Sequence, residues 1–237
     1  MDSDSKQAKP QKSTRRSMIK KTAVGASVLS GVAIPHVHAQ GNEELKIALI
    51  GCGGRGTGAV NIALSVSGSL GPVKLHAMVD VFEDKLNRSY EVLIKQEPLV
   101  DKIDVGDRKF IGFDGYRSAM DSMKPGDIAI LTTPCAFRWP MYEYAVEKGL
   151  NVFMEKPVTA DGPSSRKMLE INEKAKEKNL KVGVGLMWRH CAARGELYKR
   201  IQDGAIGDIT MMRSYRAQGP VGTCFSKKNP GDMSDLM

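Results

Sequence analysis

The feature that most constrains the 237-residue chain is an apolar run, Leu45–Ile50, followed without a break by Gly51-Cys52-Gly53-Gly54-Arg55-Gly56. Six residues of strand-forming character ending in a G-x-G-x-x-G predict a buried strand, a tight turn and the start of a helix. The same alternation continues downstream. Strands are expected at Leu45–Ile50, Val73–Asp80, 128–132, Asn151–Met154 and 182–186, with helices near 56–67, 83–96, 138–148 and 164–178 between them. The last of these helices has a clear start at Asp161-Gly162-Pro163, the apolar stripe Met168, Ile171, Ala175, and a basic final turn that stops at Asn179. Such an order implies an α/β fold, a doubly wound parallel Rossmann sheet covered by helices on both faces. The stretch from 97 to 110 reads as an irregular connection.

In such a turn Gly51 permits the sharp reversal, Gly53 admits close approach of a pyrophosphate, and Gly56 lets helix and strand pack tightly. The helix N-terminus, including Gly54 and Arg55, offers oriented N–H groups and partial positive charge to phosphates. Asp80 ends the second strand 24 residues beyond Gly56. That is close to the spacing expected of an acid that accepts hydrogen bonds from the adenosine ribose and repels a 2′-phosphate, which favours NAD while leaving NADP open. Asp80 also suits a plain turn or helix-capping role.

Thr132-Thr133-Pro134 stands at the carboxyl end of the 128–132 strand, the side on which open α/β sheets bind ligands. Glu155-Lys156-Pro157 occupies the equivalent place after Asn151–Met154. A lysine there, buried beside a cationic ring, would lose part of its solution pKa of about 10.4 and be able to hold a hydroxyl or help move a proton. A solvent-facing loop lysine fits the spacing equally.

The formal charge of +8 is unevenly placed. Residues 1–39 hold seven Lys/Arg against Asp2 and Asp4, so only +3 belongs to the remainder, which calls for neither nucleic acid nor an acidic membrane surface. Within that N-terminus, Arg15-Arg16-Ser17-Met18-Ile19-Lys20 leads to an uncharged run over 22–34 and then to Val37-His38-Ala39, a small-x-small cleavage pattern. This order reads as an export signal over 1–39 rather than as structure, and the run is too short to span a bilayer. The arginine pair resembles the twin-arginine signal, although Met18 stands where Phe is more usual. A basic tail with adjacent arginines is the bland alternative. Export would place the protein in the periplasm or outside the cell, with the twin-arginine translocase as a transient partner. Cys52, Cys135, Cys191 and Cys224 form no Cys-x-x-Cys pair and no zinc pattern, so separate thiols and no metal are expected.

Taken together, the Gly51–Gly56 turn, Thr133-Pro134, Glu155-Lys156-Pro157 and Gly204-Ala205-Ile206-Gly207-Asp208 occur in an order that resembles the glucose–fructose oxidoreductase/inositol dehydrogenase (Gfo/Idh/MocA) family. The resemblance implies a Rossmann domain for NAD or NADP over 40–186. It also implies, over 187–237, the incomplete beginning of a C-terminal α/β domain with an open sheet; the residues there read by themselves as a helix near 194–203 and a strand at 208–216. The chain is thus expected to lack most of that second domain. By the same resemblance Lys156 becomes the catalytic or substrate-positioning residue, Glu155 joins the cofactor-binding set and holds its loop with Pro157, and Arg189 or His190 contacts substrate. Packing at a domain junction is the alternative for that last pair. The implied activity is hydride transfer between a nicotinamide cofactor and a sugar, inositol or related polyol, in a homo-oligomer. A redox-assisted glycoside hydrolase and a non-catalytic nucleotide-binding fragment are the alternatives.

Overall fold

The computed structural model describes residues 44–66 and 71–217. The expected signal over 1–39 and Cys224 lie outside the described residues. Within them, twelve main elements alternate: β1 (Leu45–Ile50), α1 (Gly54–Ser65), β2 (Val73–Asp80), α2 (Glu83–Ile94), β3 (Lys109–Ile111), α3 (Gly115–Asp121), β4 (Ile128–Leu131), α4 (Arg138–Glu147), β5 (Asn151–Met154), α5 (Gly162–Glu177), β6 (Val182–Val184) and α6 (Ala192–Gln202). The strands form one parallel sheet in the order β3-β2-β1-β4-β5-β6. Strand order reverses between β1 and β4, which opens a crevice above their carboxyl ends.

Period-two alternation within the strands divides the interior into two cores. Ala48, Ile50, Val79, Leu131 and Val152 face one layer, where they meet Tyr116 and Met120 of α3, Tyr142 and Ala145 of α4, and Ile171 of α5. Ile47, Leu49, Leu75, Met78 and Ile130 face the other, against Val60 and Leu64 of α1 and Leu86 and Leu93 of α2. Because both faces are covered, the strands read as near-continuous apolar runs. The expected doubly wound sheet is therefore present.

Helix α5 shows how closely local chemistry sets an element. The Asp161 carboxylate accepts from the Ser164 N–H at 2.7 Å in a capping box, Met168, Ile171 and Ala175 are its buried residues, and Asn179 leaves it at φ 54°.

Several expectations are corrected. Helix α1 begins at Gly54 instead of 56 and ends at Ser65, and β6 stops at Val184. The 97–110 stretch is more ordered than expected: it contains a 3-10 turn at Val100–Lys102, a bridge from Ile103 to Leu75, and the start of β3. The 208–216 strand does not form. Its backbone needs a neighbouring strand for its hydrogen bonds, and among the described residues none pairs with it. Met211, Met212 and Tyr215 accordingly stand exposed, and α6 buries none of its residues. Among the described residues no helix is long and apolar enough to cross a membrane, and no three His, Cys, Asp or Glu gather as metal ligands.

Candidate functional site

A cleft of about 220 Å³ opens above the carboxyl ends of β1, β2 and β4, at the point where strand order reverses. Gly51, Gly53, Asp80, Thr132, Thr133 and Pro134 line it, which brings together six of the residues singled out in the sequence.

The glycine turn is built around two close approaches. Gly51 adopts φ +99°, a conformation that side-chain-bearing residues rarely take, and donates its N–H to Val79 O at 2.8 Å. A Cβ on Gly56 would stand 2.1 Å from the Gly51 carbonyl oxygen, so the third glycine is what lets α1 sit against β1. The Thr132 hydroxyl donates to the same Gly51 carbonyl at 2.6 Å and so fastens β4 to the turn. Gly53 differs: a Cβ there would meet nothing within 4 Å among the described residues, so none of them constrains it by contact. It caps α1 without a side-chain hydrogen bond, and no acidic residue occupies the first turn, so no side chain caps the first N–H groups of the helix.

Asp80 does more than wait for a ligand. Its Oδ2 accepts from the Cys52 N–H at 2.6 Å and its Oδ1 from the Phe82 N–H at 3.0 Å, which ties the glycine turn to the end of β2. Each carboxylate oxygen retains a second lone pair for a hydroxyl. Cys52 itself is buried. Its thiol donates to Val79 O at 3.2 Å, and burial first, with Asp80 second, pushes its pKa up and leaves it inert. Cys135 and Cys191 are likewise free.

Gly54, Arg55, Gly56 and Glu155 do not line the cleft. Arg55 turns instead to Glu155, with Nη2 at 2.6 Å from Oε1, the carboxylate buried and the guanidinium about half exposed. Lys156 follows in the loop after β5. It is exposed, and its bond to Pro157 is cis. Leu131 and Met154 are register partners, so Thr132-Thr133 and Glu155-Lys156 leave the sheet side by side. Arg189 and His190 lie exposed in the turn after β6 and are not brought to the cleft.

Other residues had no sequence signal that singled them out. Phe82, Lys85, Phe113 and Met141 complete the cleft walls, with the Lys85 ammonium 4.2 Å from the Phe82 ring centre. Phe137 lines the cleft, whereas Trp139 packs against the core beneath Lys167. Arg138 is buried and donates to the carbonyl oxygens of Thr133, Glu155 and Pro157. Burial pulls its pKa below the ordinary guanidinium value, with Cys135 and Glu155 opposing. A basic residue at the start of a helix reads as surface in a sequence, so nothing there singled Arg138 out.

A glycine turn at an uncapped helix N-terminus, a carboxylate at the end of β2 and a cleft at the switch point define a dinucleotide-binding Rossmann domain, and the residues present fit such a group. Residues 45–186 match the sequence profile of an oxidoreductase family with an NAD-binding Rossmann fold, the Gfo/Idh/MocA family, and the chain belongs to that family. Among curated relatives it is 29% identical over 177 residues to an inositol 2-dehydrogenase of Saccharopolyspora erythraea, covering 72% of this chain and 45% of that protein. It is 33% identical over 113 residues to a scyllo-inositol 2-dehydrogenase (NAD(+)) of Bacillus subtilis, covering 47% of this chain and 32% of that one. These matches span less than half the length of the relatives. Among solved structures, scyllo-inositol dehydrogenase from Lactobacillus casei with bound NAD(H) and scyllo-inositol superposes with a TM-score of 0.51 at 25% identity, over 71% of this chain and 44% of that one. The fold is also that of myo-inositol 2-dehydrogenase from Lactobacillus plantarum, with a TM-score of 0.53 at 24% identity, over 70% and 43%.

Proposed function

We propose that this chain serves as an exported NAD-dependent dehydrogenase that oxidises an inositol, or a related polyol or sugar. The carrying observation is that Lys156, itself outside the cleft lining, leaves the sheet beside the loop of Thr133, which is a wall of the cleft. When bound, the nicotinamide supplies the hydride acceptor. The chain's own part is to bind and orient. The α1 N-terminus and the Gly51–Gly53 backbone hold the pyrophosphate, and Asp80 takes the ribose hydroxyls, which favours NAD over NADP. Thr133 and Pro134 bound the cleft on the β4 side. The Lys156 amine holds the substrate hydroxyl and helps carry away its proton. Inositol dehydrogenases among the relatives support the substrate class.

Formation of NADH, followed by absorbance with myo-inositol, scyllo-inositol and glucose, tests the reading. Lys156→Ala is expected to lower kcat by about 100-fold or more while NADH binding persists. Absence of polyol-dependent NADH formation by a folded protein that binds NADH would overturn the dehydrogenase assignment. Export rests on the Arg15-Arg16 signal pattern. Replacing both with Lys is expected to leave the protein in the cytoplasm, as read by cell fractionation.

A further inference from the structure

Arg138 is the first residue of α4 and is only 2% exposed. The position is unfavourable twice over. Burial takes the charge out of water, and the N-terminal end of a helix carries partial positive charge of its own. The guanidinium meets backbone there. Nη1 donates to the carbonyl oxygens of Glu155 and Pro157 and Nη2 to that of Thr133, while Nε has no partner among the described residues. One planar fork therefore reaches two loops at once, the one leaving β4 and the one leaving β5. A lysine ammonium, with its donors on a single atom, cannot span them in the same way.

Those are the loops that matter for the chemistry. Thr133 is a wall of the cleft, and the two carbonyls held by Nη1 belong to the residues immediately before and after Lys156. The geometry points to Arg138 as a positioning residue for Lys156, holding the amine's loop against the cofactor cleft through backbone contacts alone. The Arg55–Glu155 pair fastens the same loop by its side chain, from the glycine turn. Arg138 thus acts through Lys156 and touches neither substrate nor cofactor. The inference rests on the assignment of Lys156 made above.

Arg138→Lys and Arg138→Gln in the full chain test it. Amide hydrogen exchange, read by mass spectrometry on peptides spanning 132–138 and 154–160, is expected to quicken at least about tenfold in both segments while β1 and β2 keep their protection. Fluorescence titration with NADH is expected to give a Kd within about threefold of wild type, and polyol turnover a kcat about 100-fold lower. Adding Lys156→Ala to Arg138→Lys is then expected to cost little more, because the amine is already misplaced. Unchanged exchange over 154–160 overturns the proposal. Quickening spread evenly across the sheet also overturns it, as does collapse of both variants in circular dichroism, since either makes Arg138 an ordinary core residue. Lys156→Ala alone tests the assignment beneath the inference. If that variant turns over like wild type while Arg138→Lys loosens 154–160, the loop restraint is real and the role given to Lys156 is wrong.

Discussion

Gly53 and Gly56 share one turn under opposite demands. A Cβ on Gly56 would collide with the Gly51 carbonyl, so Gly56→Ala is expected to push α1 from β1 and cost about 1–3 kcal/mol of stability. Around a Cβ on Gly53 the described residues leave open space, so Gly53→Val is expected to change stability by no more than about 1 kcal/mol. The same variant is expected to weaken NADH binding at least about tenfold, because the added side chain occupies the path of the pyrophosphate. Circular dichroism melts beside NADH titrations separate the two; equal loss of stability in both variants would make the turn purely structural. Asp80 is bound on both oxygens by backbone N–H groups. Asp80→Asn replaces one acceptor by a donor and is expected to cost about 1–3 kcal/mol. Removing the negative charge from a cleft that Lys85 also lines is expected to raise the NADPH-to-NADH affinity ratio about tenfold, as read by paired titrations. Gly51, Asp80 and Thr133 were legible in the sequence because each sits at the end of a recognisable strand. Phe82, Phe113 and Met141 were not, since only the folded chain carries their segments to one cleft, and Arg138 was not, since only the folded chain brings the carbonyls of Thr133, Glu155 and Pro157 to its guanidinium.

Among the elements, legibility followed length and burial. Helix α5 could be read almost to the residue, because cap, stripe and stop signal agree. Strand β3 and helix α3 escaped notice because β3 has three residues, none of them buried, and α3 has seven, too few to show a period. The 208–216 segment carries strand-forming residues such as Ile209, Thr210 and Tyr215, but composition cannot supply the partner that a strand requires. Strand β2 carries a further consequence in His76, which is 6% exposed with Nε2 3.1 Å from the Ser122 carbonyl oxygen. Burial, then the nearby Lys46 and Arg108 charges, pull its pKa below the ordinary value, against the Ser122 contact and Asp104. As pH falls through about 6.5, the unfolded chain binds a proton that the folded chain still refuses, so stability drops on acidification. His76→Gln is expected to flatten this part of the profile. Urea midpoints at pH 5.5 and 7.5 for both proteins check it, and an equal drop in the two would assign the acid sensitivity to other groups.

On the scale of the whole molecule, the doubly wound sheet makes cofactor binding a property of both halves. The cleft takes Gly51 and Asp80 from the β1–β3 side and Thr133 and Pro134 from the β4–β6 side, while Arg55 and Glu155 join the halves across 100 residues of sequence. The two cores also share every central strand, since Ala48 and Ile50 serve one layer and Ile47 and Leu49 the other. Neither half can loosen without opening the cleft. A ligand seated there should therefore stabilise the sheet as one cooperative unit, and only in its folded form. At a free NADH concentration near 100 times Kd, linkage supplies about 2.7 kcal/mol. For a chain of this size that corresponds to a rise in Tm of about 5–10 °C. Calorimetry with and without NADH checks the argument. A single transition that moves as a whole would support cleft and sheet acting together, whereas two transitions of which NADH moves only one would show that the halves melt apart.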